Sequence, residues 1–143
     1  MEEKSFHLER FLDAQENDYA RALEEIKKGR KTGHWMWYIF PQVAGLGWSE
    51  TSRYYAIANL CEAAAYVHHP VLGRRLIEVA EALLALNHLT AFQILGSPDD
   101  LKLKSSMTLF SAVRGANPVF REVLIRYFDG EEDQRTLALA GIL

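Results

Sequence analysis

The side chains best suited to chemistry cluster in two places. His34 heads an aromatic run, GHWMWYIFPQ (residues 33–42), and is the best-placed group for moving a proton near neutral pH. Glu62 is the natural general acid or base, given partial burial that brings its pKa towards neutrality. Trp35, Trp37 and Tyr55 are rings able to stack on a flat ligand, and Gln42, Ser52, Arg53 and Asn59 offer hydrogen-bonding groups in the same stretch. The second place is the segment opening at Asp99, where Lys102 and Ser106 stand about one helical turn apart. There the lysine is suited to hold an anionic or carbonyl group, and the serine to donate a hydrogen bond. Each of these residues also has a plainer reading. Aromatic clusters are usually core, a stripe of Ser52, Tyr55, Asn59, Glu62 and Tyr66 can simply face water, and Lys102 can snorkel from a first turn that Asp99 caps. Other chemistries lack their residues. His68 and His69 are adjacent, with no spaced partner to complete a zinc site, and no metal is expected. There is no Walker lysine or nucleophile elbow, and Gly45-x-Gly47 lacks the features of a phosphate loop. Cys61, among alanines, reads as a small buried hydrophobe.

Helices must position these groups. Residues 34–40 show no polar alternation and are bounded by Gly33 and Pro41, which fits one buried helical turn or a buried strand. Upstream, Phe6, Leu8, Phe11 and Leu12 predict a short helix ending near Gln15. Asn17 then caps a second, with Tyr19, Leu23 and Ile26 at helical spacing before Gly29. A long helix capped within Ser49 to Ser52 is expected to reach about His68, and Pro70 opens another with Leu72, Leu76, Val79, Leu83 and Leu86 as its buried stripe. Thr90 to Leu95 reads as a short helix closed by Gly96. Ser97-Pro98-Asp99-Asp100 reads as cap, first-position proline and first-turn acid. Its helix carries Leu103, Met107, Leu109, Phe110 and Val113 on the core side, with Lys104, Thr108 and Ser111 opposite. Asn117-Pro118 opens one further helix and Asp133 the last. The prediction is an all-α, compact, single-domain globule of roughly seven or eight helices spanning residues 1–143.

Composition narrows the function classes. At 143 residues the chain can bury a core without staples, and 49% hydrophobic with 24% charged residues is ordinary for a soluble protein. The net charge of −3 argues against dedicated nucleic-acid binding, and Lys27-Lys28 with Arg30-Lys31 reads as a solvated helix end. A single cysteine fits a reducing, cytoplasmic setting. No apolar run has transmembrane length, and the acidic start Met1-Glu2-Glu3-Lys4 is unlike a signal peptide. A monomer or weak homo-oligomer without a cofactor is expected.

The phrases GHWMWYIFPQ (33–42), SRYYAI (52–57), EAAAYVHHPVLGRRL (62–76) and DDLKLKSSMTLF (99–110) together resemble a bacterial family, domain-of-unknown-function family 1810, sometimes labelled calpastatin. The resemblance spans Phe6 to about Leu137 and implies a compact all-helical fold with no established activity. Real calpastatins are disordered, so that label implies nothing here. In Ser52-Arg53-Tyr54-Tyr55, and in Met107 followed by Asn117-Pro118, the order is similar to that of the NADAR superfamily, helical enzymes proposed to cleave N-glycosidic bonds in NAD- and ADP-ribose-related molecules. The acid which that superfamily carries before its aromatic pair is replaced here by Ser52 and Arg53, leaving Glu50 or Glu62 as substitutes.

Two functions follow. One is a cleft beside residues 34–55 that binds or processes a nucleotide-like small molecule related to ADP-ribose or NAD, by N-glycosidic hydrolase-like chemistry if it is an enzyme. There Trp35, Trp37 and Tyr55 stack, Arg53, Lys102 and Ser106 hold phosphate or ribose, and His34 or Glu62 moves a proton. The other is a non-catalytic protein-interaction module. The first requires His34, Trp35, Tyr55, Lys102 and Ser106 to face one cavity.

Overall fold

Residues 6–142, which the computed structural model describes, form nine helices and no strand. The acidic start Met1 to Lys4 lies outside the described residues. The helices are α1 (Glu9–Lys28), α2 (Met36–Ile39), α3 (Glu50–Tyr54), α4 (Leu60–His68), α5 (Leu72–Leu84), α6 (Ala91–Leu95), α7 (Asp99–Ser111), α8 (Val119–Phe128) and α9 (Gln134–Leu139). No helix among the described residues is long and apolar enough to cross a membrane.

Most boundaries follow local chemistry. Gly29 ends α1 in the left-handed conformation (φ 80°), which a side chain would resist. Thr90 and Gln93 form a reciprocal capping box on α6, and Asp133 accepts from the Thr136 N–H to start α9. Asn117 accepts from the Val119 N–H at 2.8 Å. At α7 the cap position falls on Pro98 rather than Ser97, after a cis Ser97–Pro98 peptide, and makes no side-chain cap bond. Asp99 and Asp100 still place negative charge in the first turn.

Around α7 the layers close. It packs against α8, α6, α4 and α9, so residues 105–110 are all buried, while Leu101 in its first turn stays exposed. Leu103, Met107, Leu109 and Phe110 are fully enclosed, and so is Thr108, expected on a wet face. Its hydroxyl is satisfied by accepting from the Asp133 N–H at 2.9 Å. Trp35, Phe40, Tyr66 and Phe11 join Phe110 and Phe120 in the same core.

Three expectations give way to tertiary structure. The two helices expected before Gly29 are one, α1. No Gly or Pro interrupts it, Asn17 is exposed mid-helix, and the buried Gln15 at the supposed end donates to the Tyr38 carbonyl (2.7 Å) and the Tyr66 hydroxyl (2.9 Å). The long helix expected from Ser49 to His68 is two. Ser49 caps α3, Asn59 caps α4, and the residues between include Ile57, which forms an isolated parallel bridge with Val43. Cys61 is exposed, because the break rotates α4 away from the continuous-helix projection.

Candidate functional site

Glu25 on α1 holds the aromatic segment in place. Its carboxylate accepts from the Thr32 N–H (2.9 Å) and hydroxyl (2.8 Å), the Gly33 N–H (3.0 Å) and the Trp35 indole N–H (2.8 Å). Desolvation opposes ionisation of Glu25, but these four donors outweigh it and hold the carboxyl at about 2, against an ordinary 4.5. A carboxyl depressed in the folded state adds stability that is complete above its unfolded pKa and is lost as pH falls through the folded one. Stability should therefore decline from about pH 4.5 down to pH 2, and Glu25→Gln should flatten that part of a melting-temperature profile while lowering it at pH 7. An unchanged acid limb in the variant would show that Glu25 does not carry it.

With Trp35 anchored inward, α2 turns Trp37 outward, and Pro41 sends the chain into an extended stretch. Gln42 and Val43 lie beside Ile57 through two backbone bonds, Ala44 N–H to Ile57 O and Ile57 N–H to Gln42 O, each 2.8 Å. The loop then returns to α3 through a close approach. A Cβ on Gly47 would sit 2.5 Å from Ser52 Oγ and 3.5 Å from the Trp37 ring, so glycine lets the loop lie against both. Gly47→Ala should cost about 1–3 kcal/mol in urea denaturation, because overpacking here displaces α3. A loss below a few tenths would mean that the loop yields freely.

Between these walls lies a cleft of about 100 Å³, lined by Trp37, Gln42, residues 43–47, Ser52, Arg53, Tyr55 and Ala56. Five residues singled out in the sequence, Trp37, Gln42, Ser52, Arg53 and Tyr55, thus share one cavity. Gln42 is buried and its Nε2 has no hydrogen-bond partner among the described residues. Arg53 is exposed. Ser52 Oγ donates to the Ser49 carbonyl at 2.8 Å, which leaves its lone pairs to accept. Tyr55 packs on Phe11, Tyr38 and Tyr54 (ring centroids 4.8–5.8 Å), and burial with the neighbouring Tyr54 pushes its hydroxyl pKa up, so it stays a neutral donor. Among the described residues no carboxylate or histidine lines the cleft, and Arg53 is the one charged residue that does.

Lys102 stands on the Trp37 wall, its Nζ 4.1 Å from the ring centroid, in a cation–π arrangement. Asp99 bridges it to Lys31, at 3.1 Å and 2.9 Å respectively. Burial works against an ionised Asp99, but the two ammonium groups prevail and hold its carboxyl below the usual range. Two lysines on one carboxylate leave a net positive charge beside the cleft. Lys31, read as solvated, is instead tucked over Trp35 at 5.1 Å, a placement that its run of basic neighbours conceals.

The remaining sequence candidates sit elsewhere, so of the five residues that the ligand-site reading required in one cavity, His34, Trp35, Tyr55, Lys102 and Ser106, only Tyr55 lines the cleft. His34 is exposed and contributes only its backbone carbonyl, to the Tyr38 hydroxyl at 3.2 Å. Trp35 is fully buried core rather than a stacking platform. Glu62 is buried with both oxygens occupied, by the Ala58 N–H (2.7 Å) and by Arg10 (2.9 Å), which makes it a structural clamp. Asn59 caps α4 through the Glu62 N–H at 2.9 Å. Ser106 is fully enclosed, its Oγ without a partner, one turn along α7 from Lys102 and not on the cleft wall. Arg10 and Glu25 hold the site's frame but were not singled out in the sequence, for nothing local marks them.

A sequence model of the family described as Protein of unknown function (DUF1810) matches residues 5–140. The crystal structure of the conserved hypothetical protein Rv1873 from Mycobacterium tuberculosis is 46% identical in sequence, with a TM-score of 0.94. The match covers 96% of this chain and 99% of that one. No curated protein matches. A similarity to the NADAR superfamily is not shown by these comparisons.

Proposed function

The chain belongs to the DUF1810 family, and we propose that its cleft binds a small nucleotide-like molecule, of the kind related to ADP-ribose or NAD. The observation that carries this reading is Gln42, a buried amide with an unpartnered Nε2 on the wall of a cavity whose other sides are Trp37, Tyr55 and Arg53. Buried polar groups without partners are rare and destabilising, and in natural proteins they concentrate at sites. Turning about its last torsion, the amide can offer the cleft either a donor or an acceptor, as recognition of a base edge or a carboxamide requires. Trp37 supplies a flat face, and Arg53 with Lys102 supplies positive charge near it. Whole-ligand pockets run to roughly 300–1,000 Å³. A cleft of about 100 Å³ therefore seats one ring or amide head, with the remainder of the ligand lying over the rim.

Binding is favoured over processing. Hydrolysis of an N-glycosidic bond needs a positioned acid or base, and neither His34 nor Glu62 reaches the cleft. The alternative, a non-catalytic protein-interaction module, has two observations in its favour: His34, Trp35, Lys102 and Ser106 do not line the cleft, and the indole of Trp48 on the loop after Gly47 is 80% exposed.

The test is a thermal-shift panel of NAD, ADP-ribose, AMP, adenosine and nicotinamide against the wild type and Arg53→Ala. A ligand that binds only the folded state raises the melting temperature. A shift with at least one member, reduced in Arg53→Ala for the phosphate-bearing members, is the expected result. No shift with any member would overturn the reading.

A further inference from the structure

We infer that Trp48 is a further binding residue of this cleft, whose indole closes over the mouth and stacks on the ring of a bound ligand opposite the Trp37 wall. The inference rests on the cleft reading above and narrows the ligand to molecules that present a flat heteroaromatic ring.

Trp48 is held on both sides by residues that are tied to the cleft. The residues before it, Gly45, Leu46 and Gly47, line the cleft, and Gly47 is held against Trp37 and Ser52 without room for a Cβ. Ser49, which follows, is tied to α3 by two bonds that Ser52 donates, from its N–H to Ser49 Oγ at 3.0 Å and from its Oγ to the Ser49 carbonyl at 2.8 Å. Ser52 and Arg53 are themselves cleft walls. Trp48 itself does not line the cleft, but it directly follows the lining residue Gly47, and its side chain is left outside with 80% of its surface exposed. The other two tryptophans are used, Trp35 in the core and Trp37 as the wall. No ring or charged group among the described residues packs on Trp48. The proposed closure turns the side chain about its own torsions and needs no change in the bonds that hold its neighbours.

The two walls do different work. Gln42 reads the edge of a ring by hydrogen bonding, whereas an indole face is indifferent to the edge and rewards flatness. A cleft with one aromatic wall holds aliphatic amides and flat rings alike. With Trp48 folded over, rings gain a second face.

The test uses the full chain with AMP, NAD and nicotinamide as probes, in calorimetric titrations of wild type, Trp48→Ala, Trp48→Phe and Gln42→Leu. Trp48→Ala is expected to melt as the wild type does, because the side chain is in water, and to bind the best probe about tenfold or more weakly. That is the scale of one base–aromatic stack. Trp48→Phe should restore most of the affinity. In the wild type the same probe should quench tryptophan emission and protect it from acrylamide, and this change should be smaller in Trp48→Phe, where Trp37 is the tryptophan left at the cleft to report it. Equal affinity in Trp48→Ala and wild type, with binding lost in Gln42→Leu, would leave the cleft standing and overturn the role of Trp48. If the wild type binds none of the probes, the cleft reading and this inference fall together.

Discussion

Arg10→Ala is expected to lower the free energy of unfolding by about 3–5 kcal/mol, the range for breaking a buried ion pair from one side. The guanidinium uses all five of its donors. Nε donates to the Tyr54 carbonyl at 2.7 Å, and one terminal nitrogen donates to the Phe6 and His7 carbonyls at 2.7 and 2.8 Å. The other donates to the Ala56 carbonyl and to Glu62, both at 2.9 Å. Truncation leaves Glu62 charged and buried with one remaining donor, Ala58 N–H, and strands carbonyls at the α3–α4 break. Replacing both partners by apolar residues of similar volume, Arg10→Met with Glu62→Leu, should recover part of the loss, since no charge then remains unpaired. Urea denaturation of the two variants checks this. A loss under about 1 kcal/mol for Arg10→Ala would mean that water reaches and solvates Glu62. Because Tyr55 and Ala56 line the cleft, the single variant should weaken ligand binding as well.

The second large effect has opposite signs on stability and binding. Gln42→Leu keeps side-chain volume nearly constant and removes an amide whose Nε2 is buried without a partner. An unsatisfied buried donor costs about 1–3 kcal/mol, so the ligand-free variant should be more stable than wild type by about 1–2 kcal/mol. The backbone carbonyl of Gln42, which accepts from the Ile57 N–H at 2.8 Å, is retained, so the bridge that shapes the cleft persists. Ligand binding should be abolished, because a site built to hydrogen-bond discriminates strongly once that group is gone. Stabilisation with loss of binding is the signature of a residue kept for function. Destabilisation of the ligand-free protein would instead make Gln42 a structural residue.

How much of this was legible in the sequence depended on the distance over which each feature is decided. The caps at Thr90 and Asp133 and the stop at Gly29 are local, and their residue types announce them, whereas at α8 the cap position falls on Pro118 rather than Asn117. The convergence of Trp37, Gln42, Ser52, Arg53 and Tyr55 was also within reach, for all five lie in one short stretch that folds back on itself. The break between α3 and α4 was not. It is held by Arg10, from the other end of α1, and a projection that assumes one continuous helix puts Glu62 and Tyr66 on a polar stripe when both are buried. Trp35 and Trp37 are two residues apart and alike in type, yet one is core and one is wall. Glu25 decides between them by drawing the Trp35 indole N–H inward. Trp48 carries no local signal, since residue type alone does not reveal an indole left in water.

The most direct measurement of the central claim is a ¹H–¹⁵N spectrum of the labelled chain titrated with whichever probe gives the largest thermal shift. Side-chain amides and indole N–H groups report separately from the backbone there. The predicted result is that the Gln42 side-chain amide and the Trp37 indole N–H move together with the backbone of residues 43–47 and Arg53, while the Trp35 indole N–H, bonded to Glu25, stays in place. Perturbations gathered elsewhere on the molecule, with Gln42 and Trp37 unmoved at saturation, would contradict it.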